Sequence, residues 1–124
     1  DYCGWQRQNH SPSVQAEVEK AFSVVGDEVI SIVCAGRTDT GVHGTNQIVH
    51  FDTCAKRSSR QWLLGVNANL PKGVRVHWTE EKAAQFHARF SATARTYRYI
   101  ISNQFYRSAL YHRLLTWIRI HLDV

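Results

Sequence analysis

Val29-Ile30-Ser31-Ile32-Val33-Cys34, then Gly36-Arg37-Thr38-Asp39-Thr40-Gly41-Val42-His43-Gly44, then Thr45-Asn46-Gln47-Ile48-Val49-His50-Phe51 decide how this chain is read. The outer segments are rich in β-branched and apolar residues and read as strands. The middle one is a glycine-punctuated loop with a single carboxylate, an arginine two residues before it and a histidine four after. Two strands joined this way present Asp39 from the end of a sheet. Loops on a rigid scaffold are where chemistry tends to be placed. The glycines at 36, 41 and 44 permit positive φ and close approach of another backbone or a ligand.

Working outward, residues 1–12 read as loop. Ser13 is positioned as an N-cap ahead of Val14, Val18, Ala21, Phe22 and Val25, which recur at helical spacing, and Gly26 reads as the stop. The strand near 29–34 is apolar on both faces, as a central strand is. After the polar connector 54–59, a second helix starts near Ser59, carries Trp62, Leu63 and Val66, and ends before Pro71. Val74, Val76 and Trp78 alternate with Arg75 and His77, the pattern of a half-buried strand. Residues 79–90 fit no single pattern. Residues 94–102 alternate again, with Arg95, Tyr97, Tyr99 and Ile101 on one face. The order helix, strand, strand, helix, strand, strand predicts an α+β sandwich with a mainly antiparallel sheet and helices on one face. It is close to the ferredoxin-like, split βαβ pattern with its first strand removed. The last segment, residues 106–124, has few places to bury Leu114, Leu115, Trp117, Ile118 and Ile120, and is expected to be an exposed apolar surface.

A chain of 124 residues is most simply one domain, and 44% hydrophobic with 20% charged residues excludes a disordered tail. Fifteen Lys and Arg against ten Asp and Glu leave a net charge of +5, with a pI near 9.4, which favours a polyanionic partner. The cysteines, Cys3, Cys34 and Cys54, are odd in number and show no CxxC spacing, so reduced thiols in the cytoplasm are expected. No apolar run approaches the ~20 residues needed to span a bilayer, and the first residues lack a signal-peptide core. The chain contains no Met, initiator or otherwise, which suggests a fragment.

Several ordered segments carry a family resemblance: the loop 36–44, Gly4-Trp5-Gln6-Arg7-Gln8, Gly65-Val66-Asn67-Ala68-Asn69-Leu70-Pro71, and Phe86-His87-Ala88-Arg89-Phe90-Ser91-Ala92-Thr93-Ala94-Arg95. Together they resemble the tRNA pseudouridine synthase A family from the first residues to at least Asn103, and more weakly to Val124. The resemblance implies that residues 1–106 are the N-terminal half of a catalytic domain. Residues 107–124 are then a connection toward an absent second half.

It further implies isomerisation of uridine to pseudouridine in the tRNA anticodon stem-loop, at tRNA positions 38 to 40, without metal or organic cofactor. Family members act as cytoplasmic homodimers on tRNA, with no membrane. Asp39 matches the catalytic carboxylate, Arg37 an arginine with a part in flipping the uridine, and Tyr97 a tyrosine that lies against the target base. Phe86, His87, Ala88, Arg89 and Phe90 match a segment that contacts RNA. Arg7, in an aromatic-polar-basic loop, and Arg57, beside Lys56 and Arg60, are further candidate RNA contacts.

Each residue has a plainer reading. Asp39 can make an Asx-turn, Arg37 can pair with Asp39, Tyr97 can be a cross-strand aromatic, Phe86 and Phe90 can be core, and Arg57 can be a solvated helix start. A zinc site using His43, His50, Cys34 or Cys54 lacks ligand spacing. Gly36 and Gly41 have the separation of a P-loop, but Val42-His43 stands where Lys-Ser/Thr is required. The alternative function is a non-catalytic RNA-binding module.

Overall fold

The computed structural model describes residues 2–123. Helix α1 spans Val14–Gly26, strand β1 Val33–Cys34, strand β2 Val49–His50, helix α2 Ser59–Asn69, strand β3 Ile101–Ser102 and strand β4 Thr116–Trp117. The chain divides into two compact units, one ending at Thr93 and one beginning at Ala94. It is a mixed α/β structure with two helices and small sheets. No helix among the described residues is long and apolar enough to cross a membrane.

Both helices start where the sequence says. The Ser13 hydroxyl accepts from the Ala16 N–H, and Ser58 forms a reciprocal capping box with Gln61. The α1 stop differs from expectation. Asp27, with φ of 53°, takes the left-handed cap and gives its N–H to the Ser23 carbonyl. Gly26 is instead a packing residue: a Cβ there would lie 2.9 Å from Ile30 Cδ1 and 3.1 Å from Trp62. Gly65 plays the matching part on α2, where a Cβ would come within 3.0 Å of Val25. These two glycines let α1 and α2 approach closely.

Below the helices lies an aromatic triad. Phe22 sits 4.6 Å from Phe51 and 5.7 Å from Trp62, and Phe51 meets Trp62 edge-on at 5.2 Å. Such pairs add about 0.5–1.5 kcal/mol each beyond their buried area. Val18, Ala21, Ile30, Ile32, Val66 and Leu70 complete the buried core.

The strands are shorter than the sequence suggests. Val33 pairs with His50 and Cys34 with Val49 in an antiparallel ladder. Ile30 and Ile32 face the core, but Val29 is 96% exposed and Val33 also faces out. The segment 29–34 is therefore covered on one face, not both.

Residues 74–78 form no strand. Val74 and Val76 pack on the core, but Trp78, expected on the same face, is 53% exposed, and the Val76 backbone is satisfied by a side chain. Asn67 donates to the Val76 carbonyl at 2.8 Å and accepts its N–H at 2.9 Å. An α2 amide stands in for a neighbouring strand.

In the second unit only 101–102 of the expected strand 94–102 is paired, and the pairing is parallel, with Thr116 and Trp117. Residues 103–115 supply the crossover of about a dozen residues that parallel pairing needs. The expected exposed apolar surface is present in part: Leu114 and Ile120 are open to solvent, as are Phe105, Tyr106, Leu110 and Tyr111, but Leu115, Trp117 and Ile118 are half-buried.

Candidate active site and nucleic-acid interface

Asp39 lies in the loop that leaves β1 and returns to β2, and it is exposed. The loop is tied at its base and on its flank. The Ala35 N–H donates to the Ile48 carbonyl at 2.8 Å, extending the ladder, and the Gln47 amide donates to the Gly36 carbonyl. At its tip the Val42 N–H returns to the Asp39 carbonyl at 3.2 Å, and Gly41 takes φ of 83°. Of the three loop glycines only Gly41 is in the left-handed region.

The N-terminal loop fixes the flank. The Trp5 N–H donates to the Thr38 carbonyl at 2.9 Å. Gly4, with φ of 89°, lies so close that a Cβ would be 2.6 Å from that oxygen. Trp5 itself is buried, so the core holds the segment that holds the Asp39 loop.

Arg37 is exposed and, among the described residues, makes no ion pair with Asp39. Its charge and that of Arg89 both bear on the Cys34 thiol. Burial pushes that thiol up, and backbone hydrogen bonding and the two arginines offset this only in part. A thiol held up by burial is a poor nucleophile. The Ala88 N–H, 3.0 Å from His50 Nδ1, brings the segment that carries Arg89 beside β2.

The expected RNA segment is built differently residue by residue. Phe86 and His87 are half-buried, and Arg89 and Phe90 are exposed. Ala88 is only 2% exposed, so its side chain anchors the segment and is not offered to a ligand. Arg7 is engaged: its guanidinium lies 3.0 Å from the Glu19 carboxylate. Glu19, which sequence reasoning missed, also accepts from Gln15 at 2.9 Å and from the buried Ile32 N–H at 3.0 Å. Glu19 stands at the edge of the apolar stripe, four residues after Gln15, and nothing in its spacing set it apart from the neighbouring charges Glu17 and Lys20. Arg57 is exposed and donates through Nε to the Val25 carbonyl at 3.3 Å, covering the α1 C-terminus.

In the second unit Tyr97 is 71% exposed, and Tyr99 is exposed too. The Thr116 hydroxyl donates to the Tyr99 oxygen at 2.9 Å. A cavity of about 310 Å³ in this unit is lined by Arg107, Ser108, His112, Leu115, Thr116 and Trp117. The Arg107 guanidinium lies over the Trp117 ring at 4.9 Å. Among the described residues no group of three or more His, Cys, Asp or Glu is placed to hold a metal ion.

The tRNA pseudouridine synthase family profile matches residues 1–91 of this chain. The chain belongs to that family. The tRNA pseudouridine synthase A of Colwellia psychrerythraea is 54% identical over 99% of this chain and 48% of its own length. That of Shewanella denitrificans is 59% identical over 88% of the chain and 42% of its own length. That of Klebsiella pneumoniae is 55% identical over 98% and 45%. The chain spans about half the length of the curated relatives it matches. The Colwellia match covers 123 residues, so the likeness to relatives runs on through the second unit.

Proposed function

We propose that this chain is the N-terminal half of a tRNA pseudouridine synthase that isomerises uridines of the anticodon stem-loop, with Asp39 as the catalytic carboxylate. In the reaction the uracil N1–C1′ bond breaks and a C5–C1′ bond forms. N1 gains a proton and C5 loses one, so composition does not change. A carboxylate serves this chemistry as a nucleophile on the sugar or as a base. The uridine must leave its stack first. Arg37 assists that flipping step, Tyr97 stacks on the everted base, and Phe86, His87, Arg89, Phe90 and Arg57 form the RNA-facing surface. Arg7 acts there through its hold on the N-terminal loop.

In this reading residues 1–106 belong to a ferredoxin-like half of the catalytic domain and 107–124 lead to the second half. The full-length protein works in the cytoplasm as a homodimer on tRNA. One observation carries the proposal: Asp39 is exposed at the tip of a loop whose base, flank and tip are all hydrogen-bonded, beside an arginine that does not neutralise it. Such a carboxylate is positioned yet available. The net charge of +5 suits recognition through the phosphate backbone.

Asp39→Asn tests it. The variant should bind a tRNA transcript nearly as well as its parent and form no pseudouridine. The parent must be measured both alone and supplemented with the C-terminal half of a relative. If the supplemented parent also forms none, catalysis by this chain is wrong, and retained tRNA binding would leave the RNA-binding module.

A further inference from the structure

Two imidazoles grip the RNA-facing turn. His50 lies on the outer face of β2, opposite Val33, and its Nδ1 is 3.0 Å from the Ala88 backbone nitrogen. His87 Nδ1 is 3.2 Å from the backbone nitrogen of Arg89 and 3.3 Å from that of Phe90. A backbone N–H can only donate. Both Nδ1 atoms are therefore bare acceptors, and each neutral ring carries its proton on Nε2.

The rings are also packed together. Their centroids are 4.5 Å apart, His87 stacks on Phe90 at 4.3 Å, and His50 meets Phe86 edge-on at 6.2 Å. The turn closes on itself through the Ser91 N–H to the His87 carbonyl and the His87 N–H to the Ser91 hydroxyl. Arg89 lies in the turn itself, and its charge, together with that of Arg37, bears on the Cys34 thiol of β1, the strand paired with β2. Among the described residues neither ring is paired with a carboxylate.

We propose that His50 and His87 are positioning residues, a neutral double clasp that holds the Arg89–Phe90 turn in its RNA-facing position, so that acidification weakens tRNA binding. This rests on the RNA-binding role proposed above. Protonating Nδ1 turns each acceptor into a donor that faces a donor, and it places two cations on adjacent rings. A charged His87 gains attraction to the Phe90 face but does not recover the two N–H bonds. Histidines that merely line a polyanion site act in the opposite sense, since charging them tightens binding.

The 124-residue chain is followed by ring-nitrogen NMR and by binding of an unmodified tRNA transcript at fixed salt, from about pH 8 to about pH 5.5. The expected result is the Nε2–H tautomer in both rings at the upper pH. As the rings titrate, the Ala88, Arg89 and Phe90 amide signals should move together, and affinity should fall on the order of tenfold. His50→Asn offers Oδ1 in place of Nδ1 and does not titrate. It should preserve the Ala88 amide signal and remove its pH dependence, while His50→Phe loses that signal position at the upper pH. An Nδ1–H tautomer in either ring, or amides indifferent to the titration, overturns the clasp. A clasp that titrates while affinity rises overturns its role in binding. Absence of tRNA binding at the upper pH overturns the RNA reading and the role with it, and the ring nitrogens still decide whether the clasp exists.

Discussion

The two units are made of similar residues and hold together by different means. In the first, helices α1 and α2 cover one face of the β1–β2 ladder and bury Phe22, Trp62, Val66, Ile30 and Ile32 between them. In the second, no described residue is fully buried, although it carries Tyr97, Tyr99, Phe105, Leu110, Leu114 and Ile120. Its order comes from polar stitching. Asn103 donates to the carbonyls of Ile118 and Ile120, both at 2.7 Å, and the Trp117 indole donates to the Gln104 carbonyl at 2.8 Å. Apolar content alone therefore does not make a core. Burial needs a second layer, and an isolated two-stranded ladder offers none. The first unit is a scaffold for its loops, whereas the second displays an apolar surface of the kind that meets other chain or a ligand.

Matched phenylalanines give the largest test of that contrast. Phe22, 2% exposed, lies at the centre of the aromatic triad, and Phe22→Ala should cost about 3–5 kcal/mol in urea unfolding. Phe105, 77% exposed, has the Arg119 guanidinium over its ring at 5.3 Å. Phe105→Ala should cost about 1 kcal/mol or less. Equal losses would break the comparison, because they would require a buried environment for Phe105 in solution.

Local signals were legible and pairing was not. Both helices could be read because caps and apolar spacing act within a few residues: Ser13 and Ser58 hold the first turns, and Phe22 and Val66 face inward. Strand lengths depend on partners distant in sequence. The alternation of Val74, Val76 and Trp78 gave the buried face for the two valines only, since Trp78 is exposed, and the Val76 backbone is paired by Asn67 on another element. The same limit applies to Arg7 and Ala88. An aromatic-polar-basic loop marked Arg7 as a candidate RNA contact, while the Glu19 carboxylate that engages it lies in α1. Ala88 stood within a motif that resembles an RNA-contacting segment, and only the fold reveals that its side chain points inward. Exposure of the Asp39 loop could be anticipated from its glycines, but the grip of Gly4 and Trp5 on it could not.

That grip supplies the next test, since a scaffold should transmit strain to the loop it holds. At Gly4 both φ and space forbid a side chain, and the obstructing atom is a backbone oxygen that cannot swing away. Gly4→Ala should cost about 1–3 kcal/mol and displace residues 38–40. Pseudouridine formation should then fall more than tRNA affinity does. Gly73 is the control within the same unit: a Cβ there would meet only Tyr2, at 3.9 Å, so Gly73→Ala should stay within about 0.5 kcal/mol. If the two variants behave alike, the core does not govern the loop.

The smallest effect concerns acid. The Glu28 carboxylate accepts from the Thr53 hydroxyl and from the Cys54 N–H at 3.1 Å, tying the connector before α2 to the turn after α1. The Thr53 bond lowers its pKa first, with help from the Cys54 and Ala55 N–H groups and against a smaller opposing effect of desolvation. A depressed folded-state pKa means stability that is fully present above the unfolded value of about 4.3 and is lost as pH falls through the folded value. The urea midpoint of Glu28→Gln should therefore lie slightly below that of the parent at neutral pH, and the gap should close once both pKa values are passed. Because this carboxylate is open to solvent, the gap should also shrink with added salt. The second unit has a single carboxyl side chain, Asp123, so carboxylate-driven acid loosening should begin in the first unit, at the connector that Glu28 holds. A gap that persists unchanged into acid would mean that the Glu28 contacts do not depend on its charge.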